Sequence, residues 1–96
     1  MNEQDLHKKV WEAARSREIL ENESWQWAFA TIEEDIYTQW KSSKGEADRE
    51  NLHKFHLMLN KVRETLESRV QTGQLAELTL AHHKTLADRA KEIWRS

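Results

Sequence analysis

The sequence predicts an all-α fold, a helical hairpin or bundle of three to four helices. The chain has no proline and only two glycines among its 96 residues, and it is rich in residues of high helix propensity. Its apolar residues recur at intervals of three and four, which is the period of a helix. Strand-forming residues never occur in alternating runs, so nothing in the pattern favours a sheet.

The clearest pattern belongs to a long central helix, predicted over residues 46–72. Its apolar positions form one stripe: Leu52, Phe55, Leu59, Val62 and Leu66, with Val70 beyond. Such a stripe must be covered, either by other helices of this chain or by a second copy. Leu57 and Met58 lie off the stripe, so the central helix is expected to contact neighbours on two sides.

Two shorter helices are predicted to precede it. The first runs from about Glu3 to Leu20 and can be capped by Asn2. The second runs from about Trp25 to Lys41 or Ser42, after two candidate N-caps, Asn22 and Ser24. Its apolar stripe comprises Trp25, Phe29, Ile32, Ile36 and Trp40. Residues 42–45 are predicted to form the loop that follows.

A last helix is predicted over residues 75–95. Gly73 fits the position just past a helix C-terminus, although one long helix with an internal glycine would cost only about 1 kcal/mol. The last helix offers two weak seams: Leu75, Leu78, His82, Leu86 and Ile93 form one, and Ala76, Leu80, Ala87 and Trp94 form the other. The heptad-like spacing of Leu80, Ala87 and Trp94 predicts pairing with another chain. We expect one helical domain, 1–96, with residues 75–96 extending from its core.

Bulk properties exclude several classes of function. The absence of cysteine excludes disulfides and thiolate chemistry and gives no reason to expect secretion. The first nine residues are polar and charged, unlike a signal peptide, and no apolar run approaches the length of a membrane span. A net charge of −2 gives no general attraction to nucleic acid or anionic lipid. Neither a membrane nor a nucleic acid is therefore an expected partner.

The titratable residues form no recognisable catalytic or metal site. His53 and His56 share a helix face, but two ligands without a third do not make a metal site. The acidic run of Glu33, Glu34 and Asp35 fans around the helix axis instead of forming a paired-carboxylate cleft; it is interpreted as a solvated face or a docking surface for a basic partner. No phosphate-binding loop or activated nucleophile is present. We predict no enzyme activity, no cofactor and no bound metal.

Five tryptophans in 96 residues depart most from average composition. A small core holds some of them, but five indoles exceed what it can easily bury, and tryptophan is enriched at the energetic centres of interfaces. Trp27 and Tyr37 fall off the stripe of their helix and are expected to be partly exposed. The predicted interface residues are Trp27, Tyr37, Leu80, Ala87 and Trp94.

Residues 13–76 resemble a group of small all-helical proteins of tailed phages and prophages. The matching strings are Ile19-Leu20-x-Asn22, Ala28-Phe29-x-x-Ile32-Glu33, Trp40-x-x-Ser43, Asp48-Arg49-Glu50-x-Leu52, Leu59-x-x-Val62-x-x-x-Leu66 and Thr72-Gly73. Members of that group are of similar size, are often encoded near packaging and structural genes, and mostly lack an assigned activity. The resemblance implies no catalytic residues, and the helix beyond residue 76 lies outside it.

Together with the apolar stripes, the tryptophans and the absence of catalytic motifs, the resemblance predicts a non-enzymatic, oligomeric phage protein that acts by protein–protein contacts in particle assembly or DNA packaging. Its partners would be further copies of itself and other phage or host proteins, in the host cytoplasm or the virion. One alternative is a small inhibitor that blocks a host defence enzyme, with the acidic face of the second helix imitating nucleic acid. A second alternative is a terminase small subunit, which would have to bind DNA.

Overall fold

Three α-helices account for nearly all of residues 2–95, which are the residues that the computed structural model describes. They are α1 (Glu3–Glu21), α2 (Glu23–Ser42) and α3 (Glu46–Arg95), so the predicted all-α class is confirmed. Contacts divide the chain into two compact units. Unit 1 comprises the residues up to Ser16 and those from Ser68 onward, and unit 2 comprises Arg17–Glu67. Helices α1 and α3 contribute residues to both.

Asparagine caps begin the first two helices. The Asn2 Oδ1 accepts the Asp5 N–H at 2.8 Å, and the Asn22 Oδ1 accepts the Trp25 N–H at 3.0 Å. The extended backbone of Asn22, with φ −69° and ψ 127°, separates α1 from α2. Each side chain satisfies a backbone donor that has no partner inside its helix. The predicted cap at Asn2 is confirmed. Of the two candidate caps of α2 the structure has Asn22 and not Ser24, and α2 begins at Glu23, two residues before the predicted start.

Helix α3 runs without interruption through Gly73, so the predicted helix end at Gly73 is wrong and the single-helix alternative is right. The glycine is explained by packing. A Cβ atom at this position would overlap the Ala13 Cβ and would lie 3.1 Å from the Lys9 carbonyl oxygen. Its φ is not positive, so it is the close approach of α1, and no unusual backbone conformation, that requires a residue without a side chain.

Unit 1 is a close antiparallel contact between α1 and the second half of α3. Its buried residues are mostly small: Leu6, Ala13 and Ser16 on α1, and Gly73 and Ala76 on α3. Two ion pairs show that α1 and this part of α3 run antiparallel. Glu12 Oε2 lies 3.2 Å from Arg69 Nη2, and Glu3 Oε1 lies 3.8 Å from His83 Nδ1, a pair that is charged only when the histidine is protonated.

Unit 2 pairs α2 with the first half of α3, also in an antiparallel sense. Phe29 and Leu52 are its buried apolar side chains. The Arg63 guanidinium lies 3.8 Å from the centre of the Phe29 ring, and its Nη2 lies 3.4 Å from Glu33 Oε1. The two helices therefore meet around a stacked arginine as well as around aliphatic groups.

The predicted stripes are only partly covered. Phe55 and Val62 of α3 and Ile32 and Trp40 of α2 are exposed, so the helices of this chain cover only part of each stripe, and cover of the rest by a second copy stays a prediction. The face of α3 that meets α2 instead comprises Leu52, His56, Leu59, Arg63 and Leu66, which are buried or half-buried. None of the five tryptophans is buried: Trp25 is half-buried and the other four are exposed. In unit 2, α3 pairs with α2, and the contact between two helices is about as wide as a heptad seam. The contact with α2 therefore covers only a narrow side of α3 and leaves the flanking apolar residues exposed.

Candidate interaction surfaces

The predicted interface residues are mostly exposed. Trp27 and Tyr37 on α2 and Trp94 on α3 are exposed, as is Ala87. Leu80 differs, because it is half-buried and lies one helical turn after the buried Ala76, on the face that meets α1. That these residues form an interface stays a prediction, but four of the five are available to a partner.

The two seams of the last helical segment have different environments. Ala76 and Leu80 face α1, whereas Leu75, Leu78 and Leu86 of the other seam are all exposed. Every described residue from Lys84 onward is exposed. The second half of α3 thus carries apolar side chains along a line that α1 does not cover.

Unit 2 has a cleft on each side of Leu52, which lines both. The first, here called the histidine cleft, has a volume of about 430 Å³. Its lining residues are Glu33, Ile36, Tyr37, Trp40, Leu52, His53 and His56. His56 Nε2 lies 3.1 Å from Asn60 Nδ2, and Lys41 Nζ lies 4.4 Å from the centre of the Tyr37 ring. The histidine cleft is therefore lined by both aromatic and titratable side chains.

The second cleft, of about 380 Å³, lies on the side of Phe55 and is lined by Gln39, Ser42, Ser43, Asp48, Asn51, Leu52 and Phe55. Beyond Phe55 on the same side of α3 are Met58 and Val62, one turn apart and both exposed. Their spacing of three and four residues makes a second apolar stripe. Sequence reasoning assigned Phe55 and Val62 to the covered stripe and set Met58 apart, although the spacing of the three residues already indicated a separate face.

The three consecutive acidic residues Glu33, Glu34 and Asp35 do not form one surface. Glu33 is half-buried and contacts Arg63 within unit 2, while Glu34 and Asp35 are exposed. Consecutive helix residues point about 100° apart, so the three carboxylates do not converge. Within residues 2–95, no group of three or more His, Asp or Glu side chains is placed to hold a metal ion.

Comparison with protein-family models, characterised proteins and solved structures finds no match to this chain. Within the part of the chain that the structure describes, no helix is long and apolar enough to cross a membrane. The features that remain to be explained are the many exposed apolar side chains, which are suited to contact with a partner.

Proposed function

We propose that this chain is a non-enzymatic phage protein that self-associates and acts through protein–protein contacts in particle assembly or DNA packaging. The phage setting depends on the resemblance of residues 13–76. The mode of action depends on one observation about the surface. Among residues 2–95, five apolar side chains are buried while fifteen large apolar side chains are exposed, an imbalance that association would correct.

The accessible surface supports the same proposal. The chain exposes 8010 Å², whereas a folded monomer of 11.5 kDa exposes about 5,800 Å² on average. A standard protein–protein interface removes roughly 800 Å² from each partner. The difference is large enough for more than one such interface per copy, which fits an assembly component that contacts both itself and another protein.

The test of self-association is the mass of the purified protein in solution, measured by light scattering. We expect a defined multimer. Trp94→Ala should weaken association by about 2–4 kcal/mol if this exposed indole lies at the centre of a contact. Trp11→Ala is the matched control. Trp11 is also exposed but lies on α1, where the Arg15 Cζ is 5.3 Å from the centre of its ring, and it is not among the predicted interface residues. A monomer at all concentrations would refute the proposal, and an unchanged mass for Trp94→Ala would refute the role of that residue.

The partner is tested by capture from infected cells. Recovery of portal, capsid or large terminase supports a role in assembly or packaging. Recovery of one stoichiometric host enzyme would instead favour the inhibitor hypothesis, for which Glu34 and Asp35 are the exposed acidic residues. Retardation of DNA that weakens steeply with added salt would favour a terminase small subunit.

A further inference from the structure

We infer that self-association places the outer side of α2 in one copy against the end of α3 in another copy, with the two helices antiparallel. The inference rests on the proposed function, since it names the surfaces by which the chain would self-associate. Two lines of exposed residues carry it, here called the α2 stripe and the α3 stripe. The α2 stripe is Glu23, Trp27, Ala30, Glu34, Tyr37 and Lys41, and the α3 stripe is Glu77, Ala81, Lys84, Asp88, Lys91 and Arg95.

The described residues leave the end of α3 uncovered. His83 contacts Glu3, which lies in the first turn of α1, and every described residue from Lys84 onward is exposed. Most helical stability in proteins comes from packing against a neighbour. The end of α3 would therefore gain from a helix of another molecule.

Each stripe keeps to one side of its helix. Successive residues in both are four and three apart in alternation, which is the spacing of neighbours on one helix face. Every member of both stripes is exposed, so the two do not cover each other within one chain. Because each residue advances a helix by about 1.5 Å, two stripes of equal spacing run level when the helices are antiparallel. Each residue then has one counterpart.

In this register each charge faces an opposite charge, a neutral residue or an aromatic ring. The opposite-charge pairs are Glu23 with Arg95, Glu34 with Lys84, and Lys41 with Glu77. Asp88 faces Ala30, and Tyr37 faces Ala81. Charge complementarity of this kind fixes the register of a contact and selects the partner. A second copy therefore carries the pattern that the α2 stripe requires.

Trp27 supplies the aromatic centre of the contact. Its side chain is 71% exposed, and in this register it faces Lys91, whose ammonium can lie over the indole ring. Lys41 makes such a contact with Tyr37 within one chain, where its Nζ lies 4.4 Å from the ring centre. Tryptophan at the centre of an interface is among the residues that contribute most to binding. The α2 stripe thus offers an aromatic anchor as well as charges.

The charged residues beside the stripes do not oppose the contact. Asp35 points roughly 120° away from the α2 stripe, and Arg89 points about as far from the α3 stripe. Glu92 flanks the α3 stripe, but it lies level with Gln26, which is neutral. The opposite charges within the stripes therefore dominate the contact.

The competing partner for the α3 stripe is the same stripe of a second copy. In that antiparallel pair Glu77 would face Arg95 and Lys84 would face Asp88, so the charges would match there too. Such a contact contains no aromatic or large apolar side chain, and exposed ion pairs alone contribute little to binding. It would also leave Trp27 uncovered. The α2 stripe is therefore the better partner.

Charge reversal in the full chain tests the pairing of Glu34 with Lys84. Glu34→Lys and Lys84→Glu should each raise the dissociation constant of the oligomer by roughly tenfold or more, measured by light scattering over a concentration series. The chain with both substitutions should return to within about threefold of the wild type, because opposite charges meet again. Asp35→Lys and Arg89→Glu are the matched controls. They change the net charge equally at exposed residues outside the stripes, so they should leave the dissociation constant within about threefold.

Replacing Trp27 gives a second measurement that does not depend on charge. Trp27→Ala should raise the dissociation constant by at least about 30-fold, whereas Trp11→Ala, at another exposed indole, should leave it within a few-fold. All the substituted residues are exposed in the single chain, so circular dichroism should show the helicity of the wild type for every variant.

Several results would overturn this contact while leaving self-association in place. One is an oligomer that the reversals or Trp27→Ala leave intact, and another is equal weakening by the controls. Rescue of Lys84→Glu by Asp88→Lys, and not by Glu34→Lys, would assign the α3 stripe to its own copy instead. A wild-type protein that is monomeric at all concentrations would overturn both the contact and the proposed function.

Discussion

Replacing Gly73 by alanine tests the packing of α1 against α3 directly. In an exposed helix this change stabilises by about 1 kcal/mol, because alanine has the higher helix propensity. Here the added methyl group would overlap the Ala13 Cβ, and the Lys9 carbonyl oxygen leaves little room beside it. The Ala13 Cβ is attached directly to the backbone of α1, so the overlap is relieved only if the two helices move apart.

The expected magnitude follows from two opposing terms. Overpacking a tight contact costs roughly 1–3 kcal/mol, and the propensity gain of about 1 kcal/mol offsets part of it. Because the Ala13 Cβ cannot rotate away, the overpacking cost should lie in the upper part of this range, about 2–3 kcal/mol, and we expect Gly73→Ala to lower the free energy of unfolding by about 1–2 kcal/mol. For a domain of this size, each kcal/mol corresponds to a decrease of about 4–8 °C in Tm. Urea denaturation followed by far-UV circular dichroism measures the effect.

Two controls isolate the cause. Gly45→Ala adds the same methyl group where nothing lies within 4 Å. Gly45 immediately precedes α3, and its carbonyl oxygen accepts the Arg49 N–H at 3.2 Å, so it is the N-cap of α3. The change should alter stability by no more than about 0.5 kcal/mol, because alanine is a weaker cap but makes the unfolded chain less flexible. Adding Ala13→Gly to Gly73→Ala restores the space and should recover about 1 kcal/mol. If Gly73→Ala alone is as stable as the wild type, the close approach of α1 to α3 is wrong.

Three further substitutions test the contacts within each unit by thermal denaturation. Asn22→Ala removes the cap of α2 and should cost about 1 kcal/mol; an unchanged Tm would contradict the observed cap. Ser16→Ala should raise stability by up to about 1 kcal/mol, because the buried Ser16 Oγ has no hydrogen-bond partner, and any loss would indicate a partner. A double-mutant cycle between Arg63 and Glu33 should give no more than about 0.5 kcal/mol, since both side chains are 40% exposed. Arg63→Ala alone should cost more than Glu33→Ala, because it also removes the contact with the Phe29 ring, worth about 0.5–1 kcal/mol.

Local features of the chain were predictable because their causes are local. The helical period, the absence of proline and the asparagine caps act within a few residues, so the all-α class and the start of α1 followed from the sequence, and the cap of α2 was narrowed to Asn22 or Ser24. The exposure of Trp27 and Tyr37 followed too, since residues off the apolar stripe of a helix point away from its neighbour. The interface role assigned to Trp27, Tyr37, Leu80, Ala87 and Trp94 remains a prediction.

The candidate surface could not be read from periodicity alone. A stripe in one sequence does not reveal how wide a face its neighbour covers, so Phe55 and Val62 could not be separated from Leu52, Leu59 and Leu66 until α2 was in place. Only the contact with α2 separates these residues into a covered and an uncovered set.

What the sequence by itself determined is that this chain is helical, where its first helix begins, and that it carries more apolar surface than a small core needs. Only the tertiary structure decided that α3 is one helix and which sides of it remain uncovered. Gly73 shows the physical reason. In the sequence alone, Gly73 resembles the end of a helix. In the structure, Ala13 packs against it, and α1 and α3 come too close there for a side chain. Because this contact joins residues that are far apart in the chain, local sequence patterns do not reveal it.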